Sequence, residues 1–264
     1  MLRITFAVGL IFCASSLFAQ VFWTEDFGNS DCSAAGTVAS GFNSANGVWS
    51  VTEPGVNGAG ANVWYISATE AGMGEGECGD GCVATPALDD NTLHLSSSDI
   101  GLGDIGAAYF ETGFGNITDT DRRVESPVID CSGQTDITLS FLYIAAGIPG
   151  SDQCSVEYFD GAAWSELTIL APSPATAPCN PQGTWTATSF ALPASANNNA
   201  GVRIGFRWVN TDDGVATDPS VAVDDITLQA GALNEVFADF EASETEICAG
   251  DCIDYNDLST GDDI

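Results

Sequence analysis

The chain contains no lysine, and its five arginines and single histidine face 37 acidic residues, giving a formal net charge of −32 over 264 residues. A chain with this balance repels phosphate, which excludes a nucleic-acid-binding role. It excludes attraction to anionic bilayers for the same reason. Beyond the first 19 residues there is no run of membrane-spanning length and no 3.6-residue apolar periodicity, so neither a membrane helix nor a helical bundle is expected. Scarce cations have a second consequence. Any carboxylate that folding buries must find amide or hydroxyl donors, one of very few guanidinium groups, or a metal ion.

The N-terminus does hold one apolar run. Met1-Leu2-Arg3 is followed by an apolar stretch from Ile4 to Leu17 and then by Phe18-Ala19-Gln20. One positive charge, a short apolar segment and a small residue read as a signal peptide over 1–19, cut after Ala19. Phe12 before Cys13 does not suit a lipid-attachment site. The expectation is an exported, soluble protein, secreted or held at the cell surface. Export makes disulfides the natural reading of the eight remaining cysteines. Spacing does not fix their connectivity. Local closure favours Cys78–Cys82, Cys154–Cys179 and Cys248–Cys252, which leaves Cys32 with Cys131.

Past the signal, the chain is a series of short runs of period two, separated by Gly, Asn, Asp, Ser and Pro. Ile137, Leu139, Phe141 and Tyr143 share one face, with Thr138 and Ser140 opposite. Val202, Ile204, Phe206 and Trp208 share another, with Arg203, Gly205 and Arg207 opposite. Similar runs near 21–27, 47–52, 62–67, 92–96, 106–111, 122–129, 153–159, 164–169, 184–191 and 219–228 predict one all-β sandwich of two antiparallel sheets over 20–229. Residues 230–235 read as a linker. Residues 236–264 begin a second unit, too short to bury a core alone, so the natural chain is expected to continue.

The run Val221-Ala222-Val223-Asp224-Asp225-Ile226-Thr227-Leu228 is an apolar strand interrupted by two carboxylates. Alternation sends them to opposite faces. Counting from Val221 and Val223 as inward, Asp225 falls on the packed side and Asp224 outside. With so few cations available, a structural Ca²⁺ is the expected resolution.

Signals for catalysis are weak. His94 lies in an alternating strand, and the chain has neither Gly-x-Ser-x-Gly nor His-Glu-x-x-His. Among 37 acids some carboxylate pair is inevitable and carries no information. The expectation is not an enzyme. Binding is the better reading, because exposed aromatics stack on sugars. Trp64 and Tyr65 are consecutive, so one must leave the core. Arg203 and Arg207 share a strand face, where they hold a structural ion pair or line a ligand groove.

Two resemblances sharpen this. Trp23-Thr24-Glu25-Asp26-Phe27, Arg123-Val124-Glu125-Ser126-Pro127-Val128-Ile129-Asp130, Leu139-Ser140-Phe141, Trp164, Trp185, Ile204-Gly205-Phe206-Arg207-Trp208 and Val223-Asp224-Asp225-Ile226 resemble exported Bacteroidetes-type jelly-roll modules of the MAM and concanavalin-like kind. Ala238-Asp239-Phe240-Glu241-Ala242-Ser243 and Asp257-Leu258-Ser259-Thr260-Gly261 resemble the opening of a PKD repeat, an Ig-like sandwich spacer. The first resemblance implies a jelly-roll fold whose first and last strands lie side by side, with Glu25 or Asp26 sharing Ca²⁺ with Asp224 or Asp225. Together they imply a non-catalytic adhesion or carbohydrate-binding module of a larger exported protein, its partner an extracellular glycan or a cell-surface protein. The alternative is a structural or accessory domain beside a secreted peptidase or glycanase carried by further domains of the same polypeptide.

Overall fold

The computed structural model describes residues 20–28, 37–70, 91–97, 103–110, 116–175, 183–231, 240–242 and 255–257. No α-helix occurs among them; the one helical turn is a short 3-10 segment, Ala194–Ala196. Gln20–Gly231 forms one compact unit. Its strands in chain order are β1 (Gln20–Glu25), β2 (Thr37–Val38), β3 (Asn43–Ser44), β4 (Gly47–Val48), β5 (Ser50–Thr52), β6 (Val63–Ser67), β7 (Thr92–Ser96), β8 (Thr120–Glu125), β9 (Thr138–Ala145), β10 (Gln153–Phe159), β11 (Trp164–Ile169), β12 (Thr186–Ala191), β13 (Arg203–Asn210) and β14 (Val221–Ala230). A second unit contributes the antiparallel pair β15 (Phe240–Ala242) and β16 (Tyr255–Asp257).

The larger sheet has the order β12-β9-β14-β7-β6-β2, with β1 also paired to β14. The smaller sheet has the order β11-β10-β13-β8-β5. All pairings are antiparallel, and from β5 to β14 most connections cross from one sheet to the other, the path of a jelly-roll sandwich. The core lies between the inner faces. Leu139, Phe141, Val223, Ile226 and Leu228 of the larger sheet pack with Val124, Val156, Ile204, Phe206 and Trp208 of the smaller. The rings lock edge to face: Phe141 meets Phe206 at 5.3 Å and 86°, and Tyr109 meets Trp208 at 4.9 Å and 68°.

Period two is legible in these strands because one face of each is dry. Two segments depart from that reading. Residues 106–110 are mostly buried but are not a strand; Ala107 covers the outer side of the larger sheet at Ile144 and Ala222, whereas Tyr109 packs on Trp208 in the main core. The outer face of the larger sheet is therefore packed as well, here and at Asp104.

The second departure corrects the expectation for Asp225. Relative to β9, the register of β14 shifts between Asp224 and Thr227, so an extra residue enters the strand at a bulge. Asp225 takes φ +51°, is exposed, and donates its backbone N–H to Asp224 Oδ1 at 2.7 Å. Asp224, on the outer side, is the buried member at 7% exposure. The bulge restarts the alternation, so Val221 and Val223 before it and Ile226 and Leu228 after it all reach the core. Counting by twos without the bulge reversed the two carboxylates.

Candidate ligand-binding face

The outer face of the smaller sheet collects most of the chain's few cations. With Val124, Val156 and Ile204 turned inward, alternation turns Asp121, Arg123 and Glu125 of β8, Ser155, Glu157 and Phe159 of β10, and Arg203, Gly205 and Arg207 of β13 outward. Three of the chain's five arginines thus stand on one sheet face. Arg123 is the hub. Its Nε and Nη2 donate to Glu125 Oε1 at 3.0 and 2.9 Å, and its Nη1 donates to Glu157 Oε2 at 2.9 Å. Thr52 Oγ1 completes Glu125 Oε1 at 2.7 Å. Arg207 grips Asp121 through two bonds, Nε to Oδ1 at 2.6 Å and Nη2 to Oδ2 at 2.7 Å, which raise its already high pKa.

An aromatic step adjoins this network. The Arg123 guanidinium lies over the Trp164 ring at 4.0 Å from its centroid, and Trp164 packs on Phe159 at 5.2 Å. Gly205 makes room for both. A Cβ at that position would come within 2.8 Å of Trp164 Cζ3 and 2.9 Å of Arg123 Cδ. The residue is glycine because side chains from two other strands meet above its backbone.

Arg203 differs from its neighbours. Its Nη1 is 3.6 Å from Glu125 Oε2, an ion pair too long to be a hydrogen bond. Among the described residues the Arg203 guanidinium donates no hydrogen bond and Glu125 Oε2 accepts none, and the Arg203 side chain keeps 32% of its exposure. Of the two roles expected for Arg203 and Arg207, Arg207 takes the structural ion pair, whereas Arg203 stays available at the surface.

The other expected site residues lie away from this face. β1 does lie beside β14, with Glu25 opposite Ile226. Glu25 turns inward, however, and its carboxylate receives Phe27 N–H, Asn46 Nδ2 and Trp49 Nε1, each at 3.1 Å. Asp26 is exposed and accepts the Gly28 N–H at 3.0 Å. Glu25, Asp26, Asp224 and Asp225 are thus not gathered into one donor set. Among the described residues no three acidic, histidine or cysteine side chains converge to hold a metal ion. Trp64 is fully buried and donates its Nε1–H to Arg122 O at 3.2 Å. Tyr65, on the opposite side of β6, is 8% exposed, and burial together with the Asp104 charge raises its phenol pKa. Neither is a surface platform, because the larger sheet is covered on both faces at this point.

His94 is fully buried. Its Nε2 is 2.9 Å from Asp104 Oδ1 and its Nδ1 is 3.0 Å from Thr92 Oγ1. Asp104 also accepts from Ser67, Thr69 and the Gly106 N–H. Burial opposes ionisation of Asp104, but His94 and these donors prevail and hold its pKa well below the usual carboxylate range. The cluster ties the covering segment to β6 and β7. Cys131 and Cys154 correct the disulfide expectation: both are buried free thiols, so neither the Cys32–Cys131 nor the Cys154–Cys179 bond is formed. Each thiol is part of the core between the sheets, which is why it packs as a small apolar side chain. Residues 1–19, Cys32, Cys78, Cys82, Cys179, Cys248 and Cys252 lie outside the described residues.

No family model matches the chain, and no curated protein is significantly similar to it. Solved structures of related shape exist at low identity. The K1 cleaved adhesin domain of Lys-gingipain from Porphyromonas gingivalis W83 is 16% identical, covering 80% of this chain and 98% of that domain, with a TM-score of 0.41. A family 11 carbohydrate-binding module from Clostridium thermocellum, in complex with a β-1,3-1,4-mixed-linked tetrasaccharide, is 13% identical, covering 76% of this chain and 99% of that one, with a TM-score of 0.34. The enzymatically active domain of a bacteriophage CBA120 tailspike protein is 10% identical over 73% of this chain and 20% of that one, with a TM-score of 0.37. An adhesin, a sugar-binding module and an enzyme at such distances carry no argument about activity.

Proposed function

We propose that the chain is a non-catalytic, extracellular carbohydrate-binding or adhesion module that takes its ligand on the outer face of the smaller sheet. The observation that carries this reading is the aromatic step of Trp164 and Phe159, set among hydrogen-bonded arginines and beside the under-engaged Arg203. Sugars are held by such mixtures: an apolar ring face for stacking, with fixed polar groups around it for the hydroxyls. The network of Arg123, Glu157, Glu125, Arg207 and Asp121 holds the polar groups in place before a ligand arrives, which lowers the ordering cost of binding. The signal-like N-terminus, the MAM-like jelly roll and the PKD-like segment support placement outside the cell. No helix among the described residues is long and apolar enough to cross a membrane.

A second reading is favoured by one observation: apart from Arg203, every guanidinium on this face is satisfied within the fold. On that reading the network stiffens an accessory domain and binds nothing. Retention on a panel of insoluble polysaccharides and on a glycan array separates the two, with Trp164→Ala as the comparison. Binding that falls at least about tenfold in Trp164→Ala, with an unchanged fold, supports the module. Binding to no glycan and no cell surface leaves the accessory reading.

A further inference from the structure

Arg203 and Glu125 Oε2 form an open donor–acceptor pair. The guanidinium offers N–H donors in a planar fork, and the carboxylate oxygen 3.6 Å away offers lone pairs, with neither group hydrogen-bonded inside the fold among the described residues. The rest of Glu125 is fixed, because Oε1 is held by Thr52 and by two bonds from Arg123. The acceptor is therefore aimed: the Glu125 side chain keeps 9% of its exposure, and its second oxygen accepts no hydrogen bond among the described residues. Phe159 is the cross-strand partner of Arg203 on the same face, and its ring is half-buried against Trp164. Three components thus adjoin one another: a donor fork, an oriented acceptor and an apolar ring.

We infer that this is a subsite for a neutral pyranose, with Arg203 and Glu125 gripping a vicinal diol and the sugar's apolar face lying on the Phe159–Trp164 step. This inference rests on the glycan-binding reading and narrows its ligand class. The chemistry discriminates because both polar groups need a partner at once. A sugar hydroxyl accepts from an Arg203 N–H, and it or its neighbour donates its own O–H to Glu125 Oε2. A uronate or sulfate satisfies Arg203 alone and sets a second anion against Glu125, on a chain whose net charge is −32. An amine or other cation satisfies Glu125 alone and meets Arg203.

The test is affinity electrophoresis of the whole chain through gels carrying galactomannan, mixed-linkage β-glucan or polygalacturonate, at about 0.05 and 0.5 M salt. The expected result is retardation by at least one neutral polysaccharide, insensitive to salt, and weakened at least about tenfold in Arg203→Gln. Because Arg203 makes no hydrogen bond among the described residues and its only ion pair there is the long 3.6 Å contact with Glu125, Arg203→Gln keeps a thermal midpoint close to the parent's, and the midpoint measured beside the gel separates loss of binding from loss of folding. Retardation by polygalacturonate alone, abolished by salt, overturns the diol subsite while leaving a glycan-binding face. Neutral-glycan binding that Arg203→Gln leaves unchanged but Trp164→Ala removes does the same. Retardation by none of the three overturns the subsite, and failure on the wider glycan panel overturns the function itself.

Discussion

Replacing Asp225 by valine separates the structure from simple strand alternation by the sign of one stability change. If position 225 faced the core, a valine there would replace a buried charge with an apolar side chain and gain about 1.5–3 kcal/mol from burial. The structure puts it at an exposed bulge with φ +51°. Left-handed backbone costs an ordinary L-residue roughly 1–2 kcal/mol, and a β-branched side chain is among the least tolerant. Aspartate is better suited, since short polar side chains visit this region with local hydrogen bonding. Valine therefore loses about 1–2 kcal/mol and recovers nothing from burial. For a unit of this size each kcal/mol moves the midpoint by about 2–4 °C, so the thermal midpoint falls by roughly 2–8 °C. Asp225→Gly, which accepts the same φ without steric cost, stays close to the parent and shows that the loss lies in the backbone. The assay is thermal unfolding followed by circular dichroism at neutral pH. A rise in midpoint for Asp225→Val would refute the bulge and return the carboxylate to the core.

Other sites yield their own tests. Glu25→Gln sets an amide donor against the N–H groups of Phe27, Asn46 and Trp49, and costs about 2–3 kcal/mol in denaturant unfolding. A fall in the parent's midpoint with EDTA is the result expected of a structural Ca²⁺ bound to the native fold, and an unchanged midpoint removes that expectation. Cys131 and Cys154 resist iodoacetamide in the native protein, since burial pushes the Cys131 thiol up to about 11 and Cys154 higher still. Both are alkylated after unfolding without reductant, and peptide mass mapping that finds them unmodified until reductant is added would establish disulfides. Asp104, whose pKa is depressed in the fold, contributes stability that is present above its unfolded pKa near ~3.9 and is lost as pH falls below it. Asp104→Asn therefore destabilises the protein at pH 7 and flattens the loss on acidification below about pH 4, measured as midpoint against pH. An unaltered pH profile would sink that assignment.

The strands were legible because burial on one face imprints period two on the residues, and Leu139, Phe141, Ile204 and Phe206 carry it plainly. Three features were not. A bulge leaves no mark in a single chain, so Asp224 and Asp225 could be counted only as if the strand were regular. The cover over the larger sheet comes from a segment without strand structure, so the sequence could not show that Tyr65 and His94 are both buried although Trp64 already fills the inner face. The binding face was half visible. Arg203, Gly205 and Arg207 were read on one side of β13, but Trp164 reaches the site across two neighbouring strands, a contact between distant parts of the chain. The one hint was Arg123-x-Glu125 on one alternating run and a lone glycine between arginines on another, a gap that a large side chain from elsewhere could fill.

Arg123, Arg203 and Arg207 stand on the outer face of the smaller sheet with Asp121, Glu125 and Glu157, three cations against three anions. In a chain of net charge −32 this cluster is self-neutralising. An uncharged polymer meets no net field from it, so its arrival is governed by shape and hydrogen-bond fit. Capture by these residues therefore changes little between about 0.1 and 1 M salt, where the screening length shrinks from about 10 Å to about 3 Å.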